Sequence, residues 1–455
     1  MTRHDMTSHQ TMKRPASASE PYVMRNFPCW PRLPTAGSHE HRHTLNSGII
    51  AVRAIHVTGV VWGRGASSRK VCCGIGWAQK RELTEWNPMT TERHPLRVAL
   101  SMLTLVPGRT GGGETYAREL VRALGRLGTV EVTTFVSHAA AGFSSGVTER
   151  VVAGVTGGAS TPGRVWTRAQ AGVIRRGGIR RAQAEFDVVH APFTVAVPPA
   201  PRGVPLVPTL HDLQHLDLPQ FFSRTMIAYR KYFYERTARN AAAVITDSEF
   251  TKDRIVQHLG LEPERVFVAH LGVDTSAMTP NFGERRNFLL YPANAAAHKN
   301  HARLVEGVGM LHEQDPTLRL VLTGGALDSL GPLPAWVDVR GRVPAEELQS
   351  LYRHARALVF PSLYEGFGLP PLEAMASGCP VVSSNAASLP EICGDAAVFF
   401  DPRDPSDLAR AVTEAASRSS DLQRRGLERV GQFSWDRCAA VHEQAYRFAA
   451  NAGHP

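Results

Sequence analysis

EGFGLPPLEAMASGCPVV, residues 365–382, sets Glu365 and Glu373 with seven residues between them, across a glycine-containing loop that opens a helix. Pro370 and Pro371 suit a helix start, where a missing amide hydrogen costs nothing, and Gly378 ahead of Pro380 suits its stop. Glu365 is therefore expected in the loop and Glu373 in the first helical turn. Gly366 and Gly368 allow backbone N–H groups to come close to a ligand. A helix N-terminus favours an anion by about 0.3–1 kcal/mol. Two carboxylates beside such a phosphate site suit a ligand carrying both hydroxyls and phosphates, as a nucleotide sugar does. The donor-side candidates are Gly366, Phe367, Gly368, Leu369 and Glu373.

Outward from this loop, short apolar runs alternate with amphipathic helical stretches, the pattern of parallel sheets covered by helices. LRVALSML, VEVTTFVS, FDVVHAPF, PLVPTLHD, AAAVITDS and RVFVAHLGVD read as the strands of a first half. ETYARELVRALGRLG reads as a helix, with Tyr116, Leu120, Leu124 and Leu127 on one face. His190, His211 and Asp247-Ser248 fall at strand ends, where doubly wound sheets hold their ligands. LGVDTSAMTPNFGERR reads as a linker, after which FLLYPAN, RLVLTGG and ALVFPS supply strands of a second half. The expected fold is α/β, two doubly wound Rossmann-like domains facing a cleft. The boundaries are 89–278 for an acceptor-binding domain and 279–434 for a nucleotide-sugar donor domain. A last helix, 435–455, packs on either domain.

Residues 1–88 differ from the rest. They hold 12 Lys+Arg against 5 Asp+Glu, whereas the remainder holds 39 against 36. The chain's formal charge of +10 is thus concentrated at the front and gives little support to nucleic-acid binding. This stretch shows no sustained helical or strand period. It reads as a flexible basic extension or as sequence upstream of a true start at Met89, the second being favoured. His39, His41, His43 and Cys72-Cys73 are weak metal-ligand alternatives there. Cys29, Cys72, Cys73, Cys379, Cys393 and Cys438 show no metal or paired spacing and read as free thiols of a reducing cytoplasm. The N-terminus lacks a signal-peptide core and no apolar run reaches spanning length, so a cytoplasmic location is expected. The arginine-rich stretch GRVWTRAQAGVIRRGGIRRAQAEF is either a solvated helix face or an interfacial segment touching anionic lipid at the inner membrane face, with Gly177-Gly178 interrupting any helix.

Three further groups carry chemistry. In RTGGGETY, Gly111, Gly112 and Gly113 make a strand-to-helix turn whose backbone can approach a phosphate or an acceptor, although many such turns use glycine for geometry alone. In TLHDLQ, His211 ends a strand and could donate to a sugar hydroxyl or to developing charge on a leaving group. In YPANAAAHKNHARL, Lys299 follows a strand near a helix start, where its ammonium can meet a phosphate as a point charge. Read alone, that lysine is equally a solvated surface residue.

Taken together, these strings resemble the retaining family 4 glycosyltransferases: GGxE at 111–114, His211-Asp212, Lys299, and above all LVFPSLYEGFGLPPLEAMASGCPVVSSN with its E-x7-E motif. The resemblance spans about residues 96–448. It implies the GT-B fold, with the last helix crossing back onto the first domain. It implies that Glu365 contacts hydroxyls of the transferred sugar, that Glu373 holds the nucleotide ribose and that Lys299 meets the diphosphate. Many relatives carry an Arg five or six residues before that Lys; here Ala293 and Asn294 stand there, with His298 and Arg303 as potential substitutes. No Asp-x-Asp occurs, so no metal is expected, and no cofactor beyond the donor, with GDP-mannose favoured. The resemblance implies retention, and front-face transfer is the expected route. The catalytic candidates are His211, Lys299 and Glu365, and the acceptor is a glycan or lipid-linked glycan. The competing reading is a non-catalytic nucleotide-sugar-binding protein or a nucleotide-sugar epimerase of the same architecture.

Overall fold

β1 (Leu96–Met102) is the central strand of the first half, because its apolar run is paired on both sides: Val98 lies against Val132 and Val188. The computed structural model describes residues 95–452, apart from 109, 110, 159 and 160. Expectations for residues 1–88, the metal alternative at His39, His41, His43 and Cys72-Cys73 included, lie outside the described residues.

β2 (Val130–Val136), β3 (Thr148–Val151), β4 (Val188–Ala191) and β5 (Leu206–Pro208) complete a parallel sheet of order β3-β2-β1-β4-β5. β6 (Val244–Thr246) and β7 (Val266–Val268) pair in parallel beside it, joined through a bridge from Thr209 to Ile245. Helix Gly112–Leu127 covers β1 with Tyr116, Leu120 and Leu124 buried, and it ends where Gly128 turns left-handed. The second half is wholly parallel too: β8 (Arg286–Pro292), β9 (Arg319–Thr323), β10 (Val337–Gly341), β11 (Ala355–Phe360), β12 (Val381–Ser384) and β13 (Ala397–Phe400), in order β10-β9-β8-β11-β12-β13. The central strands are buried on both faces, as helix-covered parallel sheets require, whereas the edge strands β3 and β10 are largely exposed.

Each sheet has one point where strand order reverses, between β1 and β4 in the first and between β8 and β11 in the second. Ligand crevices open at such points, outside the strands' carboxyl ends. The loops there are 103–111 and 192–195 in the first half, and 293–299 and 361–368 in the second.

The last helix, Trp435–Ala452, packs on the first sheet, and one buried chain of hydrogen bonds holds it there. His442 Nδ1 lies 2.8 Å from the carbonyl of Cys438, so this nitrogen donates and in the neutral ring Nε2 accepts. Nε2 then accepts from Tyr116 Oη at 2.9 Å, and Tyr116 accepts from Thr209 at 2.7 Å. Thr209 in turn accepts from His190 Nε2 at 2.9 Å, which leaves His190 Nδ1 to accept from Tyr446 at 2.6 Å. With both imidazoles neutral, every link has one donor and one acceptor. Burial favours that state, lowering His190 well below its ordinary range and His442 to about 4. His190 thus serves this network rather than the crevice.

The arginine-rich stretch folds as helix Thr161–Ala169, a π turn Gln170–Ile174 and helix Arg176–Gln183. The break falls at Arg175, with φ −101° and ψ 1°, and not at Gly177-Gly178, which sit inside the following helix.

Candidate active site

In the second half, β8 and β11 aim their loops at each other. Lys299 closes a short turn after β8, and its Nζ lies 2.6 Å from Glu365 Oε1 in the loop after β11. Both side chains are mostly buried. The lysine backbone is fixed from below. Tyr291 Oη donates to the Lys299 carbonyl at 2.8 Å, and left-handed Asn300 donates to the carbonyls of Pro361 and Pro402. Leu363 N donates to the His298 carbonyl at 2.8 Å, tying the two loops together.

Helix Leu369–Ala376 starts at the prolines and stops before Gly378, as its sequence dictates. Glu373 is its fifth residue, one turn deeper than expected, so the helix end does little for its charge. Burial instead raises its pKa, and a 2.9 Å bond from Tyr352 Oη offsets only part of that. Gly368 has φ +127°, open to glycine alone. Phe367 is buried edge-to-face on Phe433, and Leu369 leans on the core, so these two donor-side candidates pack rather than reach for a ligand. Gly366 has a role in assembly: a Cβ there would lie 1.9 Å from the carbonyl oxygen of His211, across in the first half. Its own carbonyl accepts from Ser248 Oγ at 2.7 Å and Thr251 Oγ1 at 3.3 Å.

From the first half comes His211, held at both ring nitrogens. Nδ1 is 2.7 Å from Asp247 Oδ2 and Nε2 is 3.0 Å from the Pro192 carbonyl. Both partners are acceptors, so both nitrogens donate and the ring is an imidazolium. Burial alone would lower its pKa, but Asp247 and the Pro192 carbonyl more than offset this and raise it. The expected donation to a sugar hydroxyl is therefore not available in this arrangement, because the protein occupies both N–H groups. His211 brings fixed positive charge to the crevice. Its neighbour Asp212 faces Arg230 Nη1 at 3.5 Å.

The glycine turn after β1 lies opposite. Gly111 has φ +63°, and a Cβ on Gly111 or Gly112 would meet no atom within 4 Å, so open space lies over this turn. Gly112 and Gly113 already belong to the helix. Glu114 Oε2 accepts from Gly108 N at 2.6 Å, and Arg342 of the second half donates to the Gly108 carbonyl at 2.8 Å.

Neither substitute for the missing arginine serves. Arg303 pairs with Glu306 on an exposed helix face, and burial together with Lys299 holds His298 below its ordinary range, hence neutral. Arg230 is the further cation of this neighbourhood, since it also depresses His298. Among the described residues, no cluster of three or more His, Cys, Asp or Glu is arranged to hold a metal. Cys379, Cys393 and Cys438 are buried free thiols.

Residues 110–277 match the family model described as Glycosyltransferase Family 4, and residues 275–427 the model described as Glycosyl transferases group 1. The MMP alpha-(1->4)-mannosyltransferase of Mycolicibacterium hassiacum is 31% identical over 297 residues, 59% of this chain and 72% of that protein. The chain belongs to the family 4 glycosyltransferases. A second relative, O-antigen chain mannosyltransferase B of Escherichia coli, is 29% identical over 265 residues, 53% of this chain and 70% of its own. Sucrose-phosphate synthase of Thermosynechococcus elongatus shares the fold, with TM-score 0.63 at 20% identity over 77% of this chain and 98% of its own. In this family 4 glycosyltransferase, Lys299 and Glu365 pair at the strand reversal of the second half, and Gly366 beside Glu365 meets the His211 carbonyl of the first. Arg342, Tyr352, Arg230 and the Pro192 carbonyl were beyond sequence reasoning, because their partners lie far off in the chain.

Proposed function

We propose that this glycosyltransferase moves a hexose, with mannose favoured, from a nucleoside diphosphate sugar to a glycan or lipid-linked glycan, retaining anomeric configuration. The reading rests on the Lys299–Glu365 ion pair, set at the point of strand reversal and backed by the imidazolium of His211. An incoming diphosphate offers Lys299 a doubly charged partner in place of Glu365, which frees that carboxylate for sugar hydroxyls. Glu373, one helical turn below, takes the ribose. Lys299 and Arg230 then supply the two positive charges for the departing diphosphate. The sugar C1–O bond to phosphate breaks, a C1–O bond to the acceptor forms on the same face, and the acceptor's proton passes to the departing phosphate oxygen. Loss of one such charge-stabilising donor typically costs about 2.7–4 kcal/mol. The mannosyltransferase names of two relatives support mannose as the sugar.

Calorimetric titration of the full chain with GDP, UDP, ADP and dTDP tests the donor site, and proton NMR of the first sugar released from GDP-α-mannose tests stereochemistry. Tight binding of GDP, lost in Glu373→Ala, with α-mannose released first, is the expected result. A folded chain that binds none of the four would bring down the donor site, and β-mannose released first would bring down retention.

A further inference from the structure

We infer that the face formed by residues 150–183 and the helix Arg224–Arg239 is a docking surface for an anionic phospholipid bilayer. This inference rests on the fold position of that face and not on the choice of donor. Residues 150–184 contain seven Arg and no Asp or Glu. Elsewhere many surface arginines sit on acids, as Arg410, Arg424 and Arg447 do. Here Arg168, Arg175, Arg176, Arg180 and Arg181 have no acidic partner among the described residues, and Arg180 Nε is shut from solvent with no hydrogen bond at all. Arg168 lies over the ring of Tyr229 at 5.3 Å, which joins the two segments.

Apolar side chains stand out between these charges. Val173 is 77% exposed, Ile174 57% and Trp166 55%, and the second helix adds exposed Met226, Tyr232 and Phe233. With Val151 these make seven of the ten exposed large apolar side chains among the described residues, so the apolar exposure of the protein is concentrated where its unpaired positive charge is. A groove of about 420 Å³ lies on the 150–183 side of this face, lined by Phe135, Val151, Ile174, Ile179, Arg150 and Arg175. Aromatic and aliphatic tips among unpaired arginines suit the boundary between headgroups and acyl chains. A soluble polyanion would leave the apolar tips in water, and a second copy would oppose arginine to arginine. Val151 ends β3 at the carboxyl edge of the sheet, the edge that carries the glycine turn and His211. A bilayer on this face lies beside the crevice, so an acceptor on a lipid carrier reaches it without leaving the membrane. No described helix is long and apolar enough to cross a membrane, so attachment by this route is peripheral.

Co-sedimentation of the full chain with phosphatidylcholine vesicles, with and without phosphatidylglycerol, tests this. Residues 1–88 are themselves basic, so the decisive comparison is between variants of the full chain. The parent is expected to pellet with the anionic vesicles and to come off as salt rises. Affinity should fall about fivefold for each of Arg175→Glu, Arg176→Glu and Arg181→Glu, allowing about 1 kcal/mol per surface arginine. Trp166→Ser with Ile174→Ser should weaken binding at unchanged charge. A circular dichroism spectrum and melting temperature unchanged from the parent in every variant show that they fold. Equal pelleting of parent and variants, equal pelleting with neutral vesicles, binding to heparin in preference to vesicles, or a concentration-dependent dimer lost in the variants would each overturn the proposal.

Discussion

In the folded protein the Glu373 carboxyl has one hydrogen-bond donor among its neighbours, Tyr352, and burial raises its pKa. A carboxyl raised in the folded state opposes folding once the pH exceeds its unfolded value, and the opposition is complete above the folded value. Glu373→Gln is therefore expected to melt at the same temperature as the parent or higher near neutral pH, with the gain vanishing as the pH falls through the ordinary carboxylate range. Nucleotide binding should fall at the same time. A lower melting temperature at neutral pH, from a calorimetric pH series, would show that the carboxylate serves the fold instead. The position of Glu373 in the helix was legible from the prolines to within a turn. Its burial was not, because that depends on Tyr352, which comes from a helix 21 residues earlier.

At the scale of elements, the loop 361–368 does two jobs, and the second constrains the first. It carries Glu365 towards Lys299, and through Gly366 it touches the first half at the His211 carbonyl, Ser248 and Thr251. A methyl group on Gly366 must push the loop off that carbonyl, so Gly366→Ala should lose both hydroxyl bonds and shift Glu365. Activity is expected to fall about a hundredfold, as a misplacement near 1 Å typically costs, while the melting temperature changes by a few degrees. Unchanged turnover would detach the loop contact from catalysis. The central strands were legible because helix-covered parallel strands are apolar throughout. The edge strand β3, Thr148–Val151, was not, since TERV leaves most of its side chains in water. The break at Arg175 escaped as well: the glycines two and three residues later carried the stronger local signal, yet the π turn before them resolves the geometry. Lys299 and Glu365 stood out as motif residues, but the ion pair between them was not legible, because only the strand order brings residues 66 apart in sequence side by side.

Across the whole molecule the halves meet through polar contacts. Glu391, in a short helix of the second half, accepts from Glu249 N at 2.9 Å, Phe250 N at 3.0 Å and His270 Nε2 at 2.7 Å. Tyr364 donates to Asp217 at 2.9 Å nearby. Burial alone would raise the Glu391 carboxyl, but His270 and the two amides outweigh it and hold it low, so the contact persists at neutral pH and is lost as the pH falls through that lowered value. Glu391→Ala leaves three donors without their acceptor, at about 1–3 kcal/mol each if they stay buried. Opening the halves is the cheaper response. The variant is expected to show a larger radius of gyration by small-angle scattering and weaker nucleotide binding. The same radius as the parent would mean that other contacts hold the halves together. The buried chain from Tyr446 through His190, Thr209 and Tyr116 to His442 ties the first sheet to the last segment of the polypeptide. The ribosome releases the first half more than a hundred residues before that segment exists. Until then water stands in for His442 and Tyr446 at Tyr116 and His190, and the apolar face that the last helix covers stays open. The half made first is thus the half finished last, and a chain cut short before Trp435 is expected to aggregate more readily than the full chain, because that face stays uncovered.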